Sequence, residues 1–207
     1  MSISADKIME RHDQFMKLIN KDSRADKLLV MYEQFGEQLA EAPASRKSHY
    51  HNAFPGGYID HVVRVAESAM KVSRLYKEMG GDIDFTSQEC IFSALHHDLG
   101  KLGMEGTPYY IDQESDWHRK RGEVYTHNPE LGYMTVPDRA LFLLQKYGIE
   151  ITQKEFLGIK LADGMYDESN KSYLASYDPY PIRTSLPRIL HVADYLSSRV
   201  EGDILRF

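Results

Sequence analysis

The sequence is poor in cysteine, in long apolar runs and in net positive charge. Its 207 residues include one cysteine, Cys90, which excludes an intramolecular disulfide and a zinc site built from cysteine thiolates. No apolar run approaches the roughly 20 residues of a membrane span, and residues 1–15 lack the apolar stretch of a signal peptide. The net charge of −6 does not favour binding to nucleic acid through overall charge. These absences predict a cytoplasmic protein without a membrane segment.

Apolar residues recur at helical spacing through most of the chain, and the length suits one compact domain. Helices are predicted over residues 5–19, 23–41, 58–79, 88–97, 138–147, 152–161 and 186–204. The residues expected to face the core from the last helix are Leu186, Ile189, Leu190, Ala193, Leu196 and Val200. No repeat or linker interrupts the pattern. We therefore predict an all-α fold in a single domain, 1–207, with residues 1–44 as an N-terminal helical extension and 45–207 as the core.

The segment between about residues 103 and 137 does not follow the helical pattern. It is rich in glycine, proline, tyrosine and charge, and residues 121–128 are compatible with a short hairpin. An irregular stretch of this length is more often functional than inert. We therefore predict an irregular loop with a short hairpin, inserted into the helical fold. A second loop is predicted over residues 163–184.

Nine histidines are the unusual feature of an otherwise ordinary composition. One of them, His97, is followed by Asp98 at the end of a helix that is nearly all apolar. A carboxylate beside an imidazole at the end of a core helix costs free energy unless something compensates it. A divalent metal does so, since imidazole suits Mn, Fe, Co, Ni and Zn, and carboxylate suits the harder ions. For an isolated pair, a capping aspartate beside a surface histidine is the simpler interpretation.

Two further residues make this pair less isolated. His61 lies in the first turn of the helix that follows the turn Pro55-Gly56-Gly57, and Asp194 lies on an apolar segment of the last helix. A lone aspartate on such a segment needs a partner. Three helices are thus expected to direct metal-ligand side chains toward one interior point.

The order of His61, the doublet His97-Asp98 and Asp194 resembles the HD-domain superfamily of metal-dependent phosphohydrolases. The most specific part of the resemblance is the context of the doublet, residues 94–101, Ala-Leu-His-His-Asp-Leu-Gly-Lys. Residues 51–61 are also similar to the entry motif of one branch, which includes HD-type 3′-to-5′ exoribonucleases and relaxase-associated HD proteins. The resemblance implies a single HD-domain helical bundle.

The resemblance also implies an activity. It implies a phosphohydrolase that uses a divalent metal ion (Mn, Fe, Co, Ni, Mg or Zn) to hydrolyse a small phosphate ester, with a nucleotide favoured. The implied metal ligands are His61, His97, Asp98 and Asp194, and Asp98 is also the residue to orient or deprotonate the attacking water. Three alternatives stay open: an HD-type phosphodiesterase or 3′-to-5′ nuclease, a di-iron HD oxygenase, and a non-catalytic binding module.

Lys101 follows the doublet by three residues, where some nucleotidase branches of the superfamily place a catalytic glutamate. A lysine here either contacts a substrate phosphate as a point charge or is a solvated side chain at a helix C-terminus.

Two more histidines lie near the implied ligands in the sequence. His191 precedes Asp194 by one turn and is a candidate to support it, whereas His96 is expected to be a hydrogen-bonded core residue.

A second metal site is less well supported by the sequence. Two-metal relatives use further histidines between the doublet and the last aspartate, and here only His118 and His127 are available. Both lie in a polar loop, where a surface or substrate-facing role is the alternative. Asp163 stands where many relatives also have a histidine, and it is a candidate to ligate or orient a water. His51, in the branch motif, is a candidate to reach the water or the phosphate.

Two loops combine cations with aromatic rings. Arg121 follows Trp117, and Arg183 follows Tyr180. A nucleotide would offer a phosphate to the arginines and a base to the rings, so both arginines are candidates to bind the substrate phosphate. Surface charges in contact with water are the alternative. The tyrosine-rich stretch 170–180 is a candidate lid.

Overall fold

The computed structural model describes residues 4–175 and 182–204. Its helices are α1 (Ala5–Asn20), α2 (Ala25–Glu41), α3 (Gly57–Glu78), α4 (Ser87–His96), α5 (Asp116–Lys120), α6 (Val136–Lys146), α7 (Gln153–Lys160), α8 (Lys171–Leu174) and α9 (Leu186–Ile204). Two short strands, β1 (Tyr110–Asp112) and β2 (Tyr125–His127), form a two-stranded antiparallel sheet. The predicted all-α fold is confirmed. None of the described helices is both long and apolar enough to cross a membrane.

Threonine capping boxes fix where α4 and α7 begin. The hydroxyl of Thr86 accepts from the backbone N–H of Glu89, and the Glu89 carboxylate accepts from the backbone N–H of Thr86. Thr152 and Glu155 repeat this reciprocal pair, which satisfies backbone donors that a helix start leaves free. The Thr152 hydroxyl also donates to the Glu89 carboxylate at 2.9 Å, so the two helices begin side by side.

Helix α3 is the centre of the fold and packs against α1, α4 and α9. Its buried apolar residues are Tyr58, Ile59, Val62, Val63, Val65, Ala66 and Ala69. Helix α9 runs antiparallel to it, because Ser68 contacts Ser197 at 3.0 Å while Tyr76, further along α3, contacts Arg188 at 2.9 Å. This antiparallel contact places the C-terminal half of α9 opposite the first turns of α3.

The predicted core face of α9 is wrong in its second half. Leu196 and Val200 are 46% and 47% exposed, whereas Ser197 and Glu201 are each 1% exposed. The face toward α3 continues from Ala193 through these two polar residues at helical spacing. Polar partners on α3 compensate their burial, and apolar periodicity alone does not detect such a face.

The insertion between α4 and α6 contains a hairpin with a different pairing from the one expected. Residues 121–128 do not pair with themselves; β2 pairs with β1, in the register Tyr110 to His127 and Asp112 to Tyr125. Helix α5 lies between the two strands in sequence. The segment before α3 lies alongside, since Val124 donates its backbone N–H to the carbonyl of Arg46. The partner strand is thus set by tertiary contacts rather than by a local turn.

The predicted loop 163–184 contains short helical segments. Three-residue 3₁₀ turns span Gly164–Tyr166 and Glu168–Asn170, and α8 follows directly. Another 3₁₀ turn, Leu99–Leu102, continues the chain after α4. Two tyrosines lie outside the described residues. They are Tyr177, in the candidate lid, and Tyr180, which belongs to the lid and to the second aromatic loop.

The substitution Gly100→Ala tests the packing of the turn that follows α4. A Cβ atom on Gly100 would lie 2.1 Å from the backbone carbonyl oxygen of Val136, which cannot move as a flexible side chain would. We expect Gly100→Ala to lower the free energy of unfolding by about 1–3 kcal/mol, measured by urea denaturation. The matched control is Gly202→Ala in α9, where a Cβ meets nothing within 4 Å, and where we expect a gain of about 0.5–1 kcal/mol. Equal midpoints for Gly100→Ala and the wild type would contradict this packing.

Candidate metal centre

Four side chains from three helices converge on one point. His61 lies in the second turn of α3, His97 and Asp98 directly follow α4, and Asp194 lies on α9. The Nε2 atom of His61 is 3.1 Å from Oδ1 of Asp194 and 3.5 Å from Oδ2 of Asp98. The Nε2 atom of His97 is 3.8 Å and 3.7 Å from the same two oxygens. The predicted convergence of these four residues is therefore present in the structure.

Both imidazoles direct the same ring nitrogen into this space. The Nδ1 atom of His97 bonds the carbonyl of Ala94 at 2.8 Å, and the Nδ1 atom of His61 is 3.1 Å from both carboxylate oxygens of Glu201. The two Nε2 atoms are buried and have no hydrogen-bond partner among the described residues. Buried nitrogens left in this state cost free energy unless a ligand completes them. Two nitrogens and two carboxylates form a donor set that fits a divalent metal.

The helix start before His61 depends on a close backbone approach. Gly57 lies so near the preceding loop that a Cβ atom there would be 2.2 Å from the carbonyl oxygen of Asn52. The backbone N–H of Tyr58 donates to the carbonyl of Ala42, which ties α3 to the end of α2. The turn before α3 thus sets the depth at which His61 enters the core.

Opposite charges shift the pKa values of the cluster. Burial lowers the pKa of His61, but the carboxylates of Glu201 and Asp194 outweigh it and raise the pKa to about 10. Burial raises the pKa of Asp194, but its contacts with His61 and His97 hold it well below the usual value. Without a metal, protons on the imidazoles compensate the carboxylates. A bound cation would replace those protons, so metal binding is expected to release them.

Lys101 contacts the cluster directly. Its Nζ atom is 2.6 Å from Oδ2 of Asp98, and its side chain is 15% exposed. Burial lowers the pKa of Lys101, but the Asp98 carboxylate outweighs this effect and raises it. Lys101 in turn is the main cause that holds the pKa of Asp98 low, against burial. Lys101 is therefore not a solvated surface side chain, which was one of the two interpretations of this residue.

His51 and Asp163 lie at the edge of the cluster. The ring of His51 is 4.6 Å from the ring of His61, and its Nε2 atom is buried without a hydrogen-bond partner among the described residues. Burial, followed by the charge of His61, lowers the pKa of His51 to about 2, so this ring is neutral. Burial, followed by the charge of Asp98, raises the pKa of Asp163. Both side chains are therefore within electrostatic reach of the four central residues.

Four other predicted residues lie away from the cluster. His118 contacts Glu123 at 3.1 Å. His127 lies on β2, packed against the rings of Tyr109 and Tyr110. The other two are Arg121, which lies over the ring of Trp117, and Arg183, which is exposed. Within residues 4–175 and 182–204, none of the four forms a hydrogen bond, ion pair or ring contact with a residue of the central cluster.

Two further histidines, His96 and His191, have structural contacts. His96 is buried and bonds the carbonyl of Phe92 at 2.7 Å, as expected of a core histidine. His191 bonds the carbonyl of Ala162 at 2.8 Å and packs against Gly164. It therefore supports the turn around Asp163 rather than Asp194, the residue that we expected it to support.

The sequence interpretation missed Glu201, which contacts His61. Glu201 follows Asp194 by seven residues and so lies on the same face of α9, which is the signal that the sequence contained. Asp60, Arg64 and Arg11 were also missed; they form ion pairs behind His61. Their charges suggest surface positions, and only the packing of α1 and α9 on α3 buries them.

Comparison with protein-family models, with curated proteins and with solved structures finds no match for this chain. The interpretation of the cluster therefore depends on its geometry.

The substitution Asp194→Asn tests metal binding at the cluster. We expect Asp194→Asn to weaken the binding of Mn²⁺ more than about 100-fold, because loss of a ligand should exceed the roughly 10- to 100-fold loss for an outer partner. Isothermal titration calorimetry measures this affinity. Asp116→Asn, at an exposed position of α5, is the control and should bind as the wild type does. Tight binding by Asp194→Asn would exclude this residue as a ligand.

The raised pKa of His61 predicts a pH dependence of stability. That pKa is about 10 in the folded protein, against about 6.5 in an unfolded chain. Because the folded value is higher, protonation stabilises the fold; this contribution is full below about pH 6.5 and is lost as the pH rises toward about 10. Urea denaturation in EDTA should show a fall in the free energy of unfolding over this interval. His61→Gln should reduce the fall, and equal pH profiles for the two proteins would refute the shift.

Proposed function

We propose that the protein is a divalent-metal-dependent phosphohydrolase that acts on a small phosphate ester, with a nucleotide favoured. The observation that carries the proposal is the buried cluster of His61, His97, Asp98 and Asp194, in which two imidazole nitrogens without a hydrogen bond in the described residues face two carboxylates across one space. The resemblance of these residues, in this order, to the HD-domain superfamily supports the same activity. A cytoplasmic location is part of the proposal.

The donor set suits Mn, Fe, Co, Ni or Zn, and its carboxylates also admit Mg. A divalent cation held there supplies two effects: it lowers the pKa of a water molecule and polarises a phosphoryl oxygen. Asp194 is the most open of the four side chains, at 21% exposure.

The charge of Asp98 favours one of its two expected roles. Contacts with Lys101 and His97 hold the pKa of this carboxylate below its usual value, although burial opposes them. A carboxylate with a low pKa is a weak base. In the proposed reaction, Asp98 therefore orients the attacking water and does not serve as a strong proton acceptor.

Lys101 supplies a fixed positive charge beside the proposed reaction centre. Its ammonium group lies against Asp98, and lysine binds phosphate oxygens as a compact charge. Of the histidines considered for a second metal, His118 and His127 have other contacts in the described part of the chain, and His51 alone lies at the cluster. We infer that Lys101 compensates the phosphate charge. The positions of His118 and His127, away from the cluster, disfavour the di-iron oxygenase.

A cavity beside Lys101 fits the rest of the substrate. It has a volume of about 340 Å³, and its walls include Tyr109, Tyr110 and Tyr125 from the insertion. Tyrosine rings offer stacking surfaces for a base. Its rim also carries Glu37 and other carboxylates, which repel a long polyanion. Aromatic walls with an acidic rim support a mononucleotide over a nucleic-acid strand.

An HD-type phosphodiesterase or 3′-to-5′ nuclease is the second candidate. The observation that favours it is the guanidinium of Arg121, 4.4 Å from the ring centre of Trp117, whose side chain is 60% exposed. A cation next to an exposed aromatic ring is a common surface for single-stranded nucleic acid. The cluster is buried and contains all four expected ligand residues, which supports either hydrolase over a non-catalytic binding module.

The activity is tested with Mn²⁺ and a panel of phosphate esters. We expect phosphate release from nucleoside monophosphates, no activity for Asp98→Ala, and a loss on the order of 100-fold in kcat/KM for Lys101→Met. Lys120→Met, the same change at an exposed lysine of α5, is the control and should retain activity. Cleavage of bis-p-nitrophenyl phosphate or short RNA, without any release from nucleoside phosphates, would replace the proposed activity with the second candidate.

A further inference from the structure

Charged side chains lie buried behind His61, on the side away from the proposed metal. Glu201 and Asp60 are each 1% exposed. The guanidinium of Arg64 lies between them, with its Nε atom 3.3 Å from Glu201 and its Nη2 atom 3.5 Å from Asp60. Apolar residues of similar volume would usually pack there at least as stably as buried ion pairs do. The cost of these charges points to a role beyond packing.

The buried charges form a continuous chain that ends on His61. Both carboxylate oxygens of Glu201 are 3.1 Å from Nδ1 of His61. At the other end, Asp60 accepts from Nε of Arg11 on α1 at 2.9 Å and from the side-chain amide of Asn52 at 2.8 Å. Positive and negative groups therefore alternate from α1 through α3 to α9, so each buried charge has an opposite neighbour.

We propose that Glu201 is a positioning residue that fixes His61 for metal binding, and that Arg64 holds Glu201 in place. A carboxylate on Nδ1 keeps the proton on that nitrogen, leaves the lone pair on Nε2 and prevents the ring from turning. It also makes the imidazole a stronger ligand. This inference rests on the proposed metal centre, and it assigns Glu201 no contact with the substrate.

The same chain makes α1 part of the support of the metal centre. Arg11 is the only link of the chain that α1 contributes among the described contacts, and it reaches the residue next to His61 in the sequence. The N-terminal helical extension predicted from the sequence is therefore connected to the core through buried charge and not only through apolar packing.

The test compares the affinity for Mn²⁺, by isothermal titration calorimetry, of the full-length wild type and of two variants. We expect Glu201→Gln to weaken binding about 10- to 100-fold, because the amide lacks the negative charge that strengthens His61. The matched control is Glu67→Gln, on the same helix as His61; Glu67 also contacts Arg11 at 2.9 Å but is 46% exposed and does not contact His61. Its affinity should stay within about 2-fold of the wild type, since surface ion pairs contribute little.

A second readout separates positioning from general stability. In the Zn²⁺-loaded protein, the Nδ1–H proton of His61 should resonate further downfield in the wild type and in Glu67→Gln than in Glu201→Gln, because a carboxylate is a stronger hydrogen-bond acceptor than an amide oxygen. If Glu201→Gln does not fold, Glu201→Asp decides, since it keeps the charge but withdraws the carboxylate by one methylene. We expect a loss in Mn²⁺ affinity on the order of 10-fold for that variant.

The outcomes distinguish this inference from the proposed function. A wild type that binds no Mn²⁺ would overturn the metal centre and, with it, the proposed function. A wild type that binds Mn²⁺, together with a folded Glu201→Gln or Glu201→Asp that binds equally well, would overturn the positioning role alone.

Discussion

The burial of two imidazoles and two carboxylates in one small space is the constraint on which the rest of the structure depends. Such groups are costly away from water unless their charges are compensated. His61 and His97 compensate Asp98 and Asp194 when they carry protons, and a divalent cation would do so when they do not. Three helices must converge at one point to hold these groups. The close backbone contact at the start of α3, the end of α4 and the polar face of α9 each contribute to that convergence.

Part of this arrangement could be predicted from the sequence. Helices follow from apolar periodicity, and a lone Asp194 on an apolar segment signals an interior partner, because both features are local in the chain. The contact of Glu201 with His61 is not local, since it joins residues 140 positions apart. Periodicity placed Leu196 and Val200 inside, and only the packing of α9 on α3 shows that polar residues occupy that face.

The insertion is a second region in which non-local contacts could not be predicted from the sequence. Irregular composition predicted a hairpin, but the strand that pairs with β2 lies before α5, where no turn signal indicates it. That pairing places Tyr110 of β1 and the preceding Tyr109 beside Lys101, and so forms one wall of the cavity that we assign to the substrate. His127, a candidate metal ligand by sequence position alone, becomes part of the same hairpin and packs on those tyrosines.

Anomalous diffraction from crystals of the protein soaked in Mn²⁺ examines the metal centre without reference to any substrate. We expect one strong peak per chain, within bonding distance of Nε2 of His61, Nε2 of His97 and the carboxylates of Asp98 and Asp194. A peak bound by other residues, or no peak in the space between these four side chains, would contradict a metal centre here and the phosphohydrolase activity that depends on it.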